Sequence, residues 1–213
     1  MTETRVFPDA DALATAVADL VAGAVRAAPA LRLALAGGTT PLRAYERLAR
    51  MDLPWGRVSV FFGDERCVSP EDPDSNYRAA REALLDHVAP LAVYRMPGEL
   101  GPEAGAELYE PLVLAHPLDL VLLGIGPDGH TASLFPGHPA LRAGGHVVGV
   151  RDAPKPPPDR ISLTLHALRE ARRVVMVVSG ADKRDAFERA QRGELPAGMI
   201  PQALWYITTE VAG

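Results

Sequence analysis

The order of apolar and polar positions divides the chain into helical and extended stretches. Residues 9–28 place apolar side chains at helical spacing along one face, and Pro29 ends that pattern. The same spacing and the flanking residues predict further helices at 41–50, 76–88, 102–115, 165–171 and 181–192. Short runs rich in apolar residues predict strands at 31–36, 58–62, 93–96, 118–123, 146–150, 161–165, 174–178 and 204–208.

Strands and helices alternate along most of the chain. That alternation is typical of the α/β class, with a mostly parallel sheet covered by helices on both faces. We therefore expect a three-layer α/β/α architecture in which residues 204–208 close the sheet. No stretch has the composition of a linker, so residues 1–213 are expected to form a single domain.

Several local signals refine these elements. Thr40 is expected to cap a helix that begins at Pro41, and Ser75 is expected to cap the helix that follows it. Pro111 lies inside a helical pattern and should kink or split that helix. Residues 161–165 alternate in polarity, which predicts a strand with one face toward solvent.

Composition narrows the class of protein without identifying it. The net charge of −5 argues against nucleic-acid binding, although it leaves room for a local basic pocket. Cys67 is the only cysteine, so no internal disulfide can form, and a reducing compartment is the default. No apolar run reaches membrane-spanning length, and the first residues lack a signal-peptide pattern. We expect a cytoplasmic enzyme or binding protein that acts on neither nucleic acid nor membrane.

Four loops leave predicted strands at the carboxyl edge of the sheet. They read GGTTP (37–41), GDERCV (63–68), GIGPDGH (124–130) and SGADK (179–183). Ligands of open α/β sheets bind at this edge, so the loops are where a site is expected.

The GGTTP loop has two readings that the segment alone leaves open. Gly37 and Gly38 allow close backbone approach, Thr39 and Thr40 offer hydroxyl groups, and the next helix offers free N–H groups, which together suit a phosphate. The alternative is an ordinary tight turn before a capped helix.

The GDERCV loop places Asp64, Glu65 and Arg66 directly after a buried strand. Arg66 there suits an anion or a developing oxyanion, whereas the alternative is a structural Asp–Arg pair. Cys67 is interpreted as a small buried filler, since no activating base for a thiol is identifiable.

The GIGPDGH loop follows a buried strand and is expected to present polar groups at the start of a helix. Its glycines, Gly124, Gly126 and Gly129, match the dinucleotide pattern GxGxxG, and Asp152 lies at a suitable distance for a ribose contact. Two features argue against a dinucleotide site: the carboxylate of Asp128 would face the negatively charged pyrophosphate, and Pro127 removes one backbone N–H from the turn. A second use fits better: Asp128 orients His130 as a general base.

The APKPPPDR loop carries Lys155 and Arg160, two cations that could clamp a phosphate on a proline-stiffened segment. On sequence alone a solvated loop is favoured. No histidine or carboxylate pair has zinc-ligand spacing with a plausible third ligand, so no metal is expected.

Four stretches carry a resemblance that covers nearly the whole chain. They are LALAGGTTP (33–41), FFGDERCVSPEDPDSNYRAAREALLDHV (61–88), LLGIGPDGHTASLFPGHPAL (122–141) and PKPPPDRISLT (154–164). In this order they resemble the 6-phosphogluconolactonases, which are related to the glucosamine-6-phosphate deaminases. The deaminases carry DGHIAFNEP where this chain has DGHTASLFP, so the chain follows the lactonase branch.

The resemblance implies hydrolysis of 6-phospho-D-glucono-1,5-lactone in the pentose phosphate pathway, on a fold similar to that of the deaminases. It implies no cofactor and no metal, and the partner is the small sugar-phosphate lactone. His130, Asp128 and Arg66 are the expected catalytic residues. The expected substrate- and phosphate-binding residues are Gly37, Gly38, Thr39, Thr40, Asp64, Gly126, Gly129, Lys155 and Arg160.

Two alternatives remain open. A glucosamine-6-phosphate deaminase would release ammonia, and a dinucleotide-binding module would bind NADP. Ammonia release and cofactor titration separate them from a lactonase.

Overall fold

The computed structural model describes residues 3–213, which contain ten strands and seven α-helices. The strands are β1 (Thr4–Phe7), β2 (Leu31–Leu35), β3 (Val58–Phe62), β4 (Asp64–Arg66), β5 (Ala92–Val93), β6 (Leu120–Leu123), β7 (Val147–Val150), β8 (Arg160–Leu163), β9 (Val174–Val178) and β10 (Leu204–Thr208). The α-helices are α1 (Ala10–Ala27), α2 (Thr39–Leu48), α3 (Asn76–Ala80), α4 (Pro102–Leu114), α5 (Leu165–Glu170), α6 (Arg184–Gln191) and α7 (Thr209–Ala212).

The main sheet has seven strands in the order β1-β10-β9-β6-β2-β3-β5, and every pair in it is parallel. Helices flank this sheet, so its inner strands are enclosed on both sides; β6 and β9 are buried at every position. Continuous apolar strands are what a doubly covered parallel sheet requires. The expected α/β class and the mostly parallel sheet are confirmed.

The edge of the main sheet differs from the expectation. The strand β10 does not close the sheet, because β1 pairs outside it, from Thr4 opposite Trp205 to Phe7 opposite Thr208. No strand was predicted at β1, whose four residues are exposed or only half-buried.

A second, three-stranded sheet was not predicted either. Its order is β4-β8-β7, and both pairs are antiparallel. The short strand β4 has the polar sequence DER, which carries no strand pattern, and it forms because β8 offers it a partner. The predicted solvent-facing side of β8 is wrong, since all four of its residues are buried.

The N-terminal caps of the helices agree with the sequence-based predictions only in part. Asp9 caps α1 by accepting from the N–H groups of Asp11 and Ala12, and Ser75 caps α3 as predicted by accepting from Arg78. Thr40 is not a cap: α2 begins at Thr39 after Gly38, which has a φ of +96°, so Pro41 lies inside the first turn.

The remaining differences concern element length. The helix α4 is a single element despite Pro111, so the proline does not split it. After α3 one π-helical turn covers Arg81–Leu85, and the predicted helix therefore ends before residue 88. The predicted strand at 93–96 is limited to β5.

A continuous cluster of buried apolar side chains includes residues from both sheets and from the long helices. The described helices include none that is long and apolar enough to cross a membrane.

Candidate active site

A cleft of about 270 Å³ lies at the carboxyl ends of the central strands. All four loops that were expected at this edge contribute to it. It is lined by Ala36, Gly37, Gly38, Thr39, Thr40, Pro41, Asp64, Arg66, Asn76, Leu123, Gly124, Ile125, Gly126, His130, Ala132, Arg160, Val177, Val178, Ser179 and Lys183. Most of the expected site residues therefore meet in one place.

The closest polar contact in this region joins His130 and Asp128. The Nδ1 atom of His130 lies 2.5 Å from Oδ1 of Asp128. Nε2 has no hydrogen-bond partner among residues 3–213, and the imidazole packs on the ring of Phe135 with centroids 4.5 Å apart. A neutral imidazole protonated at Nδ1 would thus present a basic Nε2 at the cleft.

Burial sets the protonation state of this histidine. It lowers the pKa of His130 because the imidazolium is poorly solvated, and this effect exceeds the opposing effect of Asp128. Burial also acts to raise the pKa of Asp128, but the hydrogen bond from His130 and the charge of Lys155 outweigh it, so that pKa is lowered. The pair is therefore a carboxylate beside a neutral imidazole at neutral pH.

The glycine turn makes room for this pair. The N–H of Gly126 donates to the carbonyl of His130 at 2.9 Å, which folds the turn back on itself. A Cβ atom at Gly126 would lie 2.1 Å from Cε1 of His130, and one at Gly129, where φ is +83°, would collide with Leu195. Both glycines are needed for close packing of the turn.

No helix begins after the glycine turn, contrary to the expectation. The chain instead forms a bridge between Thr131 and Leu134, and the next helical element is one 3₁₀ segment at Pro139–Arg142. A dinucleotide fingerprint places the pyrophosphate at a helix N-terminus, so the GxGxxG match lacks the structural context that would give it meaning.

Lys155 lies behind the pair rather than along the cleft. Its Nζ is 3.3 Å from the same Oδ1 of Asp128 that meets His130, and it is not among the residues that line the cleft. In this position its positive charge acts to lower the pKa of both Asp128 and His130.

Arg160 is buried and is not a residue of a solvated loop. Its guanidinium donates to the carbonyls of Lys155, Pro156 and Pro157 at 2.9–3.1 Å, which fixes the proline-rich loop. Burial and the nearby charge of Arg66 lower its pKa. Arg160 and Arg66 therefore create a positive region on one side of the cleft.

Arg66 has an unused donor. Its Nη1 donates to the carbonyl of Asp74 at 2.8 Å, but its buried Nε has no partner among residues 3–213. A buried donor without a partner carries a free-energy cost.

The two acidic residues of the GDERCV loop accept hydrogen bonds from other groups of the protein. Asp64 accepts from Ser133 Oγ at 2.6 Å and from the side-chain amide of Asn76 at 3.2 Å. Glu65 is buried and accepts from the N–H groups of Arg66, Asn76 and Tyr77, and burial raises its pKa. These contacts orient Arg66 relative to the start of α3.

The GGTTP loop brings the start of α2 to the cleft. Gly37 faces Asn76 so closely that a Cβ atom would lie 1.9 Å from its Oδ1, so this glycine serves internal packing. Thr40 shares a hydrogen bond of 2.8 Å with Ser179 of the SGADK loop. Two loops that follow different strands are thereby joined beside the free N–H groups of α2.

Three polar residues of the lining were not among the expected site residues: Asn76, Ser179 and Lys183. Lys183 could have been found from its place, because SGADK directly follows the buried strand β9. Asn76 had no local signal, since its contact with Asp64 depends on how α3 packs.

Cys67 is partly exposed, so the interpretation as a buried filler holds only in part. Burial of the sulfur, followed by nearby carboxylates, raises the pKa of its thiol to about 12. It therefore remains a thiol at neutral pH and is not an activated nucleophile.

Comparison with known proteins adds independent observations. Residues 8–208 match the family described as glucosamine-6-phosphate isomerases/6-phosphogluconolactonase. A 6-phosphogluconolactonase of Mycobacterium leprae is 38% identical, and the alignment covers 98% of this chain and 96% of that protein.

Solved structures share the fold. The 6-phosphogluconolactonase of Thermotoga maritima superposes with a TM-score of 0.89 at 27% identity, over 98% of this chain and all of that one (100%). A monomeric glucosamine-6-phosphate deaminase reaches a TM-score of 0.87 at 23% identity, over 99% of this chain and 98% of its own, which shows a common fold. The architecture alone therefore does not separate the two activities.

Proposed function

Since the chain belongs to the glucosamine-6-phosphate isomerase/6-phosphogluconolactonase family, we propose that it hydrolyses 6-phospho-D-glucono-1,5-lactone to 6-phospho-D-gluconate. The observation that supports this most directly is the 2.5 Å contact between His130 and Asp128 beside a cleft lined by cations. A general base and an anion pocket are what hydrolysis of a phosphorylated ester requires.

In the proposed reaction His130 acts as the general base. Nε2 takes a proton from water while the water oxygen attacks the lactone carbonyl, giving a tetrahedral oxyanion and an imidazolium. Asp128 holds the tautomer with Nδ1 protonated and stabilises the imidazolium as it forms. The oxyanion then collapses, the bond from C1 to the ring oxygen breaks, and Nε2–H protonates that oxygen.

Arg66 is the proposed oxyanion stabiliser. Arg66 lines the cleft and keeps one side-chain donor, Nε, without a partner among residues 3–213; an oxyanion donor contributes about 10²- to 10³-fold to the rate. No covalent intermediate is required, because a lactone is already an activated ester.

The phosphate is proposed to bind between the start of α2 and the cations of the cleft. Gly38, Thr39 and Thr40 supply N–H and hydroxyl groups, and Lys183 supplies a charge from the SGADK loop. Arg160 adds positive potential, although most of its donors are used by the loop at 155–157. Binding energy at the phosphate positions the carbonyl for attack.

The test is a lactonase assay with the lactone generated in place from glucose 6-phosphate and the product oxidised by 6-phosphogluconate dehydrogenase. Oxidation of glucose 6-phosphate yields the first NADPH, so the readout is the second equivalent, from 6-phosphogluconate. We expect it to form well above the rate that spontaneous hydrolysis allows, and this gain to be lost in His130→Ala. Ammonia release from glucosamine 6-phosphate, with no lactonase activity, would instead assign the chain to the deaminases.

A further inference from the structure

Three potential metal ligands converge away from the cleft, where β7 and α5 meet. Nε2 of His146 lies 2.8 Å from Oε2 of Glu170, and Nε2 of His166 lies 3.5 Å from Oε1 of the same carboxylate. The ligand atoms of all three residues lie within 4.8 Å of one another. None of the three residues lines the cleft.

The backbone brings these side chains together. His166 and Glu170 are four residues apart on α5, so they project from the same face of the helix. The N–H of Thr164, which caps α5, donates to the carbonyl of His146 at 2.9 Å, and the Thr164 hydroxyl donates to Gly145 at 2.7 Å. The two ligand-bearing segments are therefore fixed to each other.

His146 is also held from its other side. Both carboxylate oxygens of Glu110 accept from the N–H of His146, and one of them lies 3.7 Å from Nδ1 of the ring. The distance of 3.7 Å to Nδ1 is too long for a hydrogen bond, so Glu110 fixes the backbone at His146 and not the protonation of its ring. In the metal-free structure Nε2 of His146 donates to Oε2 of Glu170 at 2.8 Å, and a metal ion bound at this nitrogen would displace that proton.

The chemistry of the three ligands selects the kind of ion. Two imidazoles and one carboxylate suit zinc and its neighbours rather than calcium or magnesium, which prefer oxygen ligands. Ligand atoms in a tetrahedral zinc site are about 3.4 Å apart, given bond lengths near 2.0–2.1 Å. His166 and Glu170 have side chains 55% and 45% exposed, which leaves both free to rotate and close the remaining distance.

Contrary to the sequence-based expectation of no metal, we propose that His146, His166 and Glu170 bind a divalent transition metal ion such as Zn²⁺, with a water molecule in the fourth position. The ion links the start of β7 to α5 and stabilises the fold, because metal that binds only the folded chain raises the free energy of unfolding. The proposal does not depend on lactone hydrolysis.

The test measures Zn²⁺ binding by calorimetry and by the shift of the thermal midpoint. We expect one site in the full chain, with affinity at least about 10-fold weaker in His166→Ala and in Glu170→Gln, since even outer-shell changes have effects of this size. His87→Ala is the matched control, because it removes a surface histidine that contacts only a backbone carbonyl among the described residues. It should bind like the parent chain.

A further variant, at the cleft, tests whether the metal site is independent of the cleft. His130→Ala should retain the Zn²⁺ site, and Co²⁺ in its place should give the visible absorption of a tetrahedral ion. The proposal is overturned if both cluster variants bind Zn²⁺ as the parent does, if binding disappears with His130→Ala, or if no saturable binding occurs.

Discussion

The ammonium group of Lys155 lies 3.3 Å from Oδ1 of Asp128, the same oxygen that meets His130. This contact is the basis for proposing a role for Lys155 other than the phosphate clamp expected from sequence. A positive charge at this position lowers the pKa of both Asp128 and His130. Lys155 is therefore proposed to act with burial, which has the larger effect, in keeping His130 unprotonated and so active as a base.

Replacing Lys155 by methionine should shift the pH profile. Loss of the cation raises the pKa of His130, so the acidic limb of kcat/KM should move to higher pH while KM for the lactone stays nearly constant. Activity measured across pH 5 to 9 in the coupled assay tests this. A large rise in KM with an unmoved acidic limb would support the phosphate clamp instead.

Removing the base should abolish most turnover. His130→Ala should lower kcat by about 10²- to 10⁴-fold with little change in KM, because general-base catalysis contributes that much to the chemical step. Asp128→Asn should lower kcat by a similar factor, since the amide no longer fixes the tautomer with Nδ1 protonated. Rates are taken above spontaneous hydrolysis, and equal thermal midpoints serve as the folding control. Unchanged kcat in His130→Ala would exclude it as the base.

The Gly126→Ala variant tests whether activity depends on the position of the His130 ring, and a second glycine variant serves as its control. In Gly126→Ala the new Cβ would lie 2.1 Å from the His130 ring, so the imidazole must move and kcat/KM should fall by about 10²-fold. In Gly56→Ala, at a glycine that does not line the cleft, the Cβ meets nothing within 4 Å, and activity should stay near that of the parent. Equal losses in both variants would mean that the position of His130 is not what limits the rate.

Lys183 tests the phosphate site. Lys183→Met should raise KM for the phosphorylated lactone by about 10- to 100-fold, the loss expected for a hydrogen bond to a charged group. Turnover of phosphate-free gluconolactone should be unaffected by the change, which separates phosphate binding from chemistry. If both substrates were affected equally, Lys183 would not be a phosphate ligand.

The fold was predictable where burial imposes a local pattern. β9 is a continuous apolar run and β3 is apolar except for Ser59, and both were predicted with the bounds that they have. β1 and β4 were missed because short strands with exposed or polar residues form only when a partner strand is present. The helix expected after the glycine turn was wrong for a related reason, since residues 131–134 are held by a bridge that has no local signature.

In the candidate site, too, local contacts could be predicted from the sequence and long-range contacts could not. Asp128 and His130 are two residues apart, so their contact follows from a single turn. The surroundings of Asn76 and Arg160 depend on residues far away in the chain. Asn76 packs against Gly37 and the side chain of Asp64, and Arg160 is buried although its loop looked solvated.

The sequence by itself determined the strand and helix alternation, the loops at the carboxyl edge and the histidine–carboxylate pair, because each of these depends on neighbouring residues. Only the tertiary structure decided which cations face the cleft: Lys183 lines it, whereas Lys155 lies behind Asp128. The direction in which a long side chain extends depends on the path of its loop and on packing partners from other strands. Such contacts leave no periodic signal in the sequence.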